Sequence, residues 1–461
     1  MRQIDRQYRA SKIHGQGWTK TNCRSISTFA TCLQAGPHLR SGSLPTNPAG
    51  KQPSCRHGKP FVTQTEIIDD KNQELTCKPM RVAFYLFFPG SGIGRYTHEL
   101  LNTLSRSSNI STELICLPSF HWRSEAHYAI WPGLYEIAHR NPLKRKSRFL
   151  TAQIANPKRL AQRAFETRSN IIHLSNINHL TFPLWKKTLR RFGSKVVATV
   201  HDVRREKGII NHRYELNQLQ RFYRWADALF VHSKAQADDL KSFADVTPAQ
   251  IHIVPHGPYD YGATSNSTEE LRRRYRLPIT KQVALFFGNI RDEKNLRLLL
   301  QALTHHRETT HLLVAGRIGG QLTLSDYRQI SKDHGINENV TFLNRYVDDK
   351  EIPDLFTVCD WGALPYSRRF TAQSGVLNVA MQYHRPVLIS NAPTFSESLS
   401  ACDVGVQINA DDLDSLNDGL ARIVARVEAK SDFQFEKYLS SFSWQRNATI
   451  TRQVYDSLID S

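Results

Sequence analysis

The sequence predicts an α/β protein made of two doubly wound, parallel-sheet units in tandem. Two observations carry this. Short apolar runs alternate with helical stretches from residue 81 to beyond residue 400. The alternation breaks once, at the polar segment PYDYGATSNSTEE (258–270). Short apolar strands with intervening helices imply parallel sheets covered on both faces, and a polar break between two such series reads as a linker.

The first series holds RVAFYLFF (81–88), ELICL (113–117), IIHL (171–174), KVVATV (195–200), ALFVH (228–232) and IHIV (251–254). The second holds QVALFF (282–287), HLLVA (311–315), VTFL (340–343), WGAL (361–364), PVLIS (386–390) and VGVQI (404–408). The expected organisation is an N-terminal Rossmann-like domain over 80–257, a linker over 258–278 and a C-terminal Rossmann-like domain over 279–432. Residues 433–461 read as helices packing on the outside. Ligands of such folds bind beyond the carboxyl ends of the strands and in clefts between domains.

Residues 1–79 are rich in Ser, Thr, Pro, Gln and Arg and show no sustained period, which predicts a disordered basic extension. Four of the seven cysteines lie there: Cys23, Cys32, Cys55 and Cys77. Met80 stands at the edge of the first strand in a chain with only three methionines. Two readings stay open: translation begins at Met80, or the tail is genuine.

The chain of 461 residues is 40% hydrophobic, enough for sizeable cores. No apolar stretch reaches the ~20 residues of a membrane span, and the first residues lack the apolar centre of a signal peptide. A cytoplasmic location is expected. The cysteines show no CxxC or CxxH spacing, which argues against zinc, and their odd number against a disulfide framework. The formal net charge of +19 points to an anionic partner: nucleic acid, an anionic membrane surface or phosphorylated substrates.

Chemistry is concentrated at 282–295, QVALFFGNIRDEKN. An apolar strand, Val283 to Phe287, meets Gly288, and Arg291 and Lys294 follow just where a helical pattern begins at Asn295. A helix N-terminus exposes unpaired N–H groups and partial positive charge. Two added cations suit such a place to one phosphate or two.

Three further segments are weaker alone. Gly90, Gly92 and Gly94 lie between the first strand and an amphipathic helix. Their GxGxG spacing is not the dinucleotide fingerprint, and a tight strand–helix turn explains it as well. His201 and Asp202 end the strand at 195–200; a site histidine and an ordinary strand-end turn capped by Asp202 are equal readings. Thr371, Ser374 and Gly375 open a helix expected over Val376 to Tyr383, where hydroxyls can cap the helix or its N–H groups can cradle phosphate. Val231-His232-Ser233, a strand end with an expected N-cap, and Pro255-His256-Gly257 are minor signals.

Taken in order, GIGRYTHELL, VATVHD, VHSKAQADDL, IVPHG, FFGNIRDEKNLRLLLQAL, LLVAG and YVDDKEIPDLFTVCDWGALPY resemble the retaining glycosyltransferases of family four. The resemblance covers about residues 80–461 and implies the GT-B fold, with two Rossmann-like domains facing across a cleft. It implies a nucleotide-diphosphate sugar as co-substrate, no cofactor and no metal. The donor would be held mostly by the C-terminal domain and the acceptor, a glycan or lipid-linked saccharide of the kind used in cell-envelope polysaccharide synthesis, by the N-terminal one. Arg291 and Lys294 match the basic pair that grips the diphosphate, and Gly92 the loop that closes over phosphate and sugar. His201 matches the histidine near the reacting carbon. Ser374, Gly375 and Val376 match the helix start that binds the diphosphate, and Gly288 and Asn289 complete the donor side. Asn289 stands where many relatives have arginine, so Arg291 is the substitute. The family's two glutamates fall at Thr371 and Val379, neither of them acidic. Sugar and ribose contacts must then come from elsewhere.

The chain holds no Asp-x-Asp pair placed for a divalent ion, and no carboxylate presents itself as a covalent nucleophile. The stretch 143–168 carries eight basic residues and one acid, and Lys186, Lys187, Arg190 and Arg191 follow. A basic amphipathic helix can lie on anionic lipid, which would make the protein peripheral at the inner membrane face; a solvated helix face is the other reading. Two rivals stand beside a transferase: a catalytically inactive nucleotide-sugar-binding or scaffold protein, from the missing glutamates, and a nucleic-acid binder, from charge. No nucleic-acid motif supports the last.

Overall fold

Residues 79–89, 92–190, 193–204, 208–370 and 374–460 are described by the computed structural model of the protein. The expected extension up to residue 78, with its four cysteines, lies outside them, as do Gly90 and Thr371.

The first domain runs β1 (Met80–Leu86), α1 (Gly92–Leu104), β2 (Ile110–Cys116), β3 (Ala129–Trp131), α2 (Pro142–Glu166) and β4 (Ile171–Leu174). It continues with α3 (Phe182–Leu189), β5 (Lys195–Thr199), α4 (His212–Trp225), β6 (Ala228–Val231), α5 (Lys234–Ala244) and β7 (Ile251–Ile253). The second runs α6 (Thr268–Tyr275), β8 (Gln282–Phe287), α7 (Leu296–Leu303), β9 (Thr310–Ala315), α8 (Leu324–Asp333), β10 (Val340–Leu343) and α9 (Ile352–Val358). Then come β11 (Trp361–Leu364), α10 (Gly375–Gln382), β12 (Val387–Ser390), α11 (Ser396–Ala401), β13 (Gly405–Ile408) and α12 (Leu413–Glu428). Two helices close the chain, α13 (Phe435–Ser441) and α14 (Trp444–Asp460).

Both sheets are parallel. The seven-stranded one has the order β3-β2-β1-β4-β5-β6-β7 and the six-stranded one β10-β9-β8-β11-β12-β13. The winding direction reverses between β1 and β4 and between β8 and β11, so the two switch points open crevices beyond the carboxyl ends of these strands. The strand β3 was not expected from the sequence. It has only three residues, none of them buried, and so lacks an apolar run.

Alternation along β1 explains the layering. Ala83 and Tyr85 enter a core with residues of α2, α3, α4 and α5, whereas Val82, Phe84 and Leu86 enter another with α1. In β8, Val283 and Leu285 likewise face α9 and α10, while Ala284 and Phe286 face α7 and α12. The last two helices, expected on the outside, have different hosts. Tyr438 of α13 is buried against the second domain. Ala448, Val454 and Tyr455 of α14 return to the first and complete the core over α1. The Tyr455 hydroxyl bonds Nδ1 of buried His173 on β4, and Thr199 Oγ1 lies 2.8 Å from Nε2.

Local chemistry sets the ends. Asn141 caps α2 by accepting from the N–H groups of Leu143 and Lys144, and Ser233 caps α5 through Gln236 N–H. Pro157 inside α2 has no N–H for the carbonyl of Gln153. Thr181 Oγ1, just before α3, donates to that carbonyl instead at 3.0 Å.

The glycines before α1 separate into two kinds. A Cβ on Gly94 would stand 2.1 Å from the Pro89 carbonyl oxygen, whereas one on Gly92 would meet nothing within 4 Å. The Gly94→Ala protein should lose about 1–3 kcal/mol or more of stability through forced backbone movement, and Gly92→Ala should fold like the parent. Urea denaturation of both checks this; equal midpoints would contradict the close approach of α1 to the end of β1.

Candidate functional site

At the second switch point β8 ends in Phe287, and Gly288 turns the chain with φ +94°. That value lies in a region open mainly to glycine. The space a side chain would claim is occupied: an added Cβ would meet Lys294 Nζ at 3.2 Å and Val376 at 3.5 Å. A 3-10 turn, Asp292–Lys294, then sends the lysine back toward the strand, and Asn295, at φ +60°, separates it from α7. Lys294 Nζ donates to the Phe287 carbonyl at 3.2 Å and lies 5.3 Å from the centre of the Tyr366 ring. The two cations therefore do not sit together at the start of α7, as the helical pattern implied. Lys294 is buried at the mouth of β8. Arg291 is half-exposed, pairs with Glu293 at 2.8 Å and lies over Phe370. Asn289 is exposed.

Burial, reinforced by the charge of Arg291 and opposed by Glu293, lowers the Lys294 ammonium to about 7. Among the described residues no carboxylate contacts this amine directly, and an anion placed beside it would favour its charged form.

The start of α10 faces this lysine through Val376. Ser374 takes the N-cap position, yet its hydroxyl makes no capping bond and instead reaches Tyr366 Oη at 3.4 Å. Capping, the commoner reading of that serine, is not what its hydroxyl does. Gly375 packs on Tyr259; a Cβ there would lie 3.4 Å from the ring. Val379, one of the expected glutamate positions, is buried in the apolar core.

A chain of polar contacts crosses from this helix to the glycine loop. The Tyr438 hydroxyl donates to Asn378 Oδ1 at 2.6 Å, and Asn378 Nδ2 lies 3.0 Å from His256 Nδ1. His256 Nε2 is 3.1 Å from the Tyr259 hydroxyl, which donates to the Gly92 carbonyl at 3.3 Å. His201, His232, His256 and Trp444 surround the Tyr96 ring with centroids 4.9, 5.0, 5.3 and 5.1 Å away. Burial, then the neighbouring His256, pushes His201 down to about 3, and burial holds His256 at about 4. Both imidazoles are neutral near pH 7. Nε2 of His201 and of His232 are shielded from solvent without a hydrogen-bond partner. Among the described residues, no group of three His, Cys, Asp or Glu side chains is arranged to hold a metal ion.

Across the crevice, the Glu397 carboxylate accepts the Lys234 N–H at the start of α5. His232, His256, Ser374, Asn378 and Glu397 line the crevice between the domains. Gly92, His201, Gly288, Lys294, Ser374, Gly375 and Val376 thus belong to one connected region, with Arg291 and Asn289 at its rim. The sequence reading missed Tyr259, Tyr366, Asn378 and Glu397. Tyr259 lay in the segment read as a linker, although Pro255-His256-Gly257 just before it carried a faint signal.

Residues 90–258 match the family description "Glycosyltransferase Family 4" and residues 281–426 "Glycosyl transferases group 1". The chain is similar to the D-inositol 3-phosphate glycosyltransferase of Mycobacteroides abscessus, 26% identical over 51% of this chain and 51% of that protein. It is also similar to that of Xylanimonas cellulosilytica, 28% identical over 30% of this chain and 35% of the relative. The matched stretches thus span about half or less of these curated relatives. In fold it resembles sucrose-phosphate synthase from Thermosynechococcus elongatus, with TM-score 0.62 and 15% identity over 83% of this chain and 99% of that one. HepE from Anabaena, solved in complex with UDP, gives TM-score 0.59 and 15% identity over 83% of this chain and 100% of the other. Both domains match their family descriptions in the expected order, on two parallel Rossmann-like sheets, and the chain belongs to the family four, group 1 glycosyltransferases with the GT-B fold.

Proposed function

We propose that the protein transfers a sugar from a nucleotide-diphosphate sugar to a glycan or lipid-linked saccharide acceptor, with retention of configuration and without a metal. The observation that carries this reading is Lys294, a buried cation at the mouth of β8 beside Gly288 and Val376. The uncapped N–H groups that open α10 supply a second donor set next to it. A diphosphate gathers negative charge as it leaves the sugar. Lys294, Arg291 and the α10 N–H groups are preorganised to stabilise that charge. Charge-assisted hydrogen bonds of this kind contribute roughly 1.5–3 kcal/mol each.

The other side of the crevice has complementary tasks. The open space over Gly92 leaves room for phosphate and sugar. His201, neutral because of its burial, offers an imidazole to a sugar hydroxyl near the reacting carbon without adding positive charge. The departing phosphate takes the acceptor proton, as retention without a protein nucleophile requires. HepE was solved with UDP and with UDP-glucose, which makes uridine diphosphate sugars the first donors to try. The names of the curated relatives put a phosphorylated inositol among the first acceptors. A catalytically inactive sugar-nucleotide binder is the second reading, favoured by one observation: apolar Val379 is buried where a family glutamate is expected.

A thermal-shift panel of nucleoside diphosphates and their sugars tests the reading first. The correct donor at 100 times its Kd should add ~2.7 kcal/mol of stability; no shift with any member would remove the donor assignment. Slow hydrolysis of the stabilising nucleotide sugar separates an enzyme from an inactive binder. Lys294→Ala and Arg291→Ala should each lower turnover at least ~100-fold, a loss of about 3 kcal/mol in the transition state. Parent-like turnover in both would overturn the diphosphate cradle.

Lys294 also sets a pH dependence. Its free-state value of about 7 must rise when an anion binds. Below that pH the amine is already charged; above it, binding must take up a proton. The Kd for a nucleotide sugar, whose diphosphate does not titrate here, should rise by up to ~10-fold per pH unit above 7. The Lys294→Met protein should lose this dependence. Calorimetry between neutral and alkaline pH reads both, and affinity that increases with pH would refute the role.

A further inference from the structure

We propose that the N-terminal half of α2 docks the protein on an anionic lipid surface, with its apolar ridge entering the lipid and its lysines meeting the headgroups. Leu143, Leu150 and Ile154 are 72%, 52% and 53% exposed. Spacings of seven and four residues put them within an arc of about 40° on one helix face. Exposed Lys146 flanks one side of this ridge, and exposed Lys144 and Lys158 the other, with the small polar Ser147 and Thr151 between. From Pro142 to Phe165 the helix contains no acidic residue.

Six of the seven basic residues of α2 fall into two groups. Arg148 donates to the Ala138 carbonyl, Arg159 to that of Gly133, and Arg163 pairs with Glu113, so these hold the helix to its own domain. Lys144, Lys146 and Lys158 point their charge outward. Phe149 and Ala152 before Pro157, and Leu160, Ala161 and Ala164 after it, are buried in the first domain, while the ridge of Leu143, Leu150 and Ile154 is open. A solvated face needs the lysines but not three bare aliphatic side chains in register. A lipid interface uses both, the aliphatic ridge at the acyl boundary and the cations against anionic headgroups.

The placement in the fold suits such a contact. Gln153 meets Asn178 and Thr181, in the loop that leaves the carboxyl end of β4. The helix runs back toward the amino end of β4, so its N-terminal half lies on the carboxyl-end side of the sheet. Gly92 and His201 follow strands at that same edge. The neighbouring α3 adds exposed Leu184, Lys186 and Lys187. The proposal does not depend on the transfer chemistry.

Flotation of the full chain with vesicles tests it, using phosphatidylcholine alone and phosphatidylcholine with phosphatidylglycerol. The parent should float with the anionic vesicles and not with the neutral ones. A triple variant, Leu143→Ser, Leu150→Ser and Ile154→Ser, should bind the anionic vesicles roughly tenfold or more weakly. So should Lys144→Glu, Lys146→Glu and Lys158→Glu combined. Both should keep the parent's melting temperature, since every changed side chain is exposed. No flotation of the parent at low salt would overturn the proposal. So would unchanged vesicle binding of the serine variant, which would mark the helix as a generic basic surface of the kind that also retains RNA.

Discussion

The imidazole of His256 holds the two halves of the site in register. It lies where the chain leaves the first sheet for the second, with one ring nitrogen toward Asn378 of α10 and the other toward Tyr259, whose hydroxyl reaches the Gly92 carbonyl. The start of α10 and the start of α1 are therefore positioned by one buried network. Such a network rigidifies a fold when its members are satisfied and is expensive when they are not. Trp444 and Asn447 secure the same crossing by donating to the carbonyls of Pro258 and Pro255. A Cβ on Gly257 would strike the Trp444 ring at 2.5 Å, so the crossing strand and the last helix are fitted to each other.

Against this rigid frame the mouth of β8 is electrostatically unfinished. Burying an ammonium ion costs free energy unless it is paired. Lys294 has a backbone carbonyl and an aromatic face as company but, among the described residues, no carboxylate in contact. The nearby Arg291 makes its position worse. The fold holds the amine there at a cost that an anion placed beside it would relieve. Sites whose local choices run against stability are where function is usually found. Neutral imidazoles around Tyr96 make the opposite choice, giving polar groups without charge.

Much of this was legible in the sequence because parallel strands buried on both faces are continuous apolar runs. All twelve expected runs became strands. The missed β3 is an edge strand of three residues whose pairing comes from its neighbour rather than its own composition. Site residues divided along the same line. Gly288, Lys294 and Ser374 follow strands or open helices, so position alone marked them. The direction of Lys294 was not legible, since a 3-10 turn reverses it within three residues. Tyr259 and Glu397 reach Gly92 and Lys234 far away in sequence, and such contacts leave no local period. Tyr259 was further hidden by polar neighbours that read as a linker.

The return of α14 to the first domain bears on how the chain comes into being. Ala448, Val454 and Tyr455 belong to the core that covers α1, and buried His173 depends on Tyr455 for one of its two ring-nitrogen hydrogen bonds. During synthesis from the N-terminus, the first sheet emerges long before the helix that completes one of its faces. Domains made in this direction usually fold in the order in which they appear. Here the first to emerge is the last to be finished, and a half-covered apolar face must wait while the whole second domain is made. Ribosome-tethered intermediates of this protein are therefore expected to expose the α1 side of the first sheet, a natural target for chaperones, until residues 444–460 close over it.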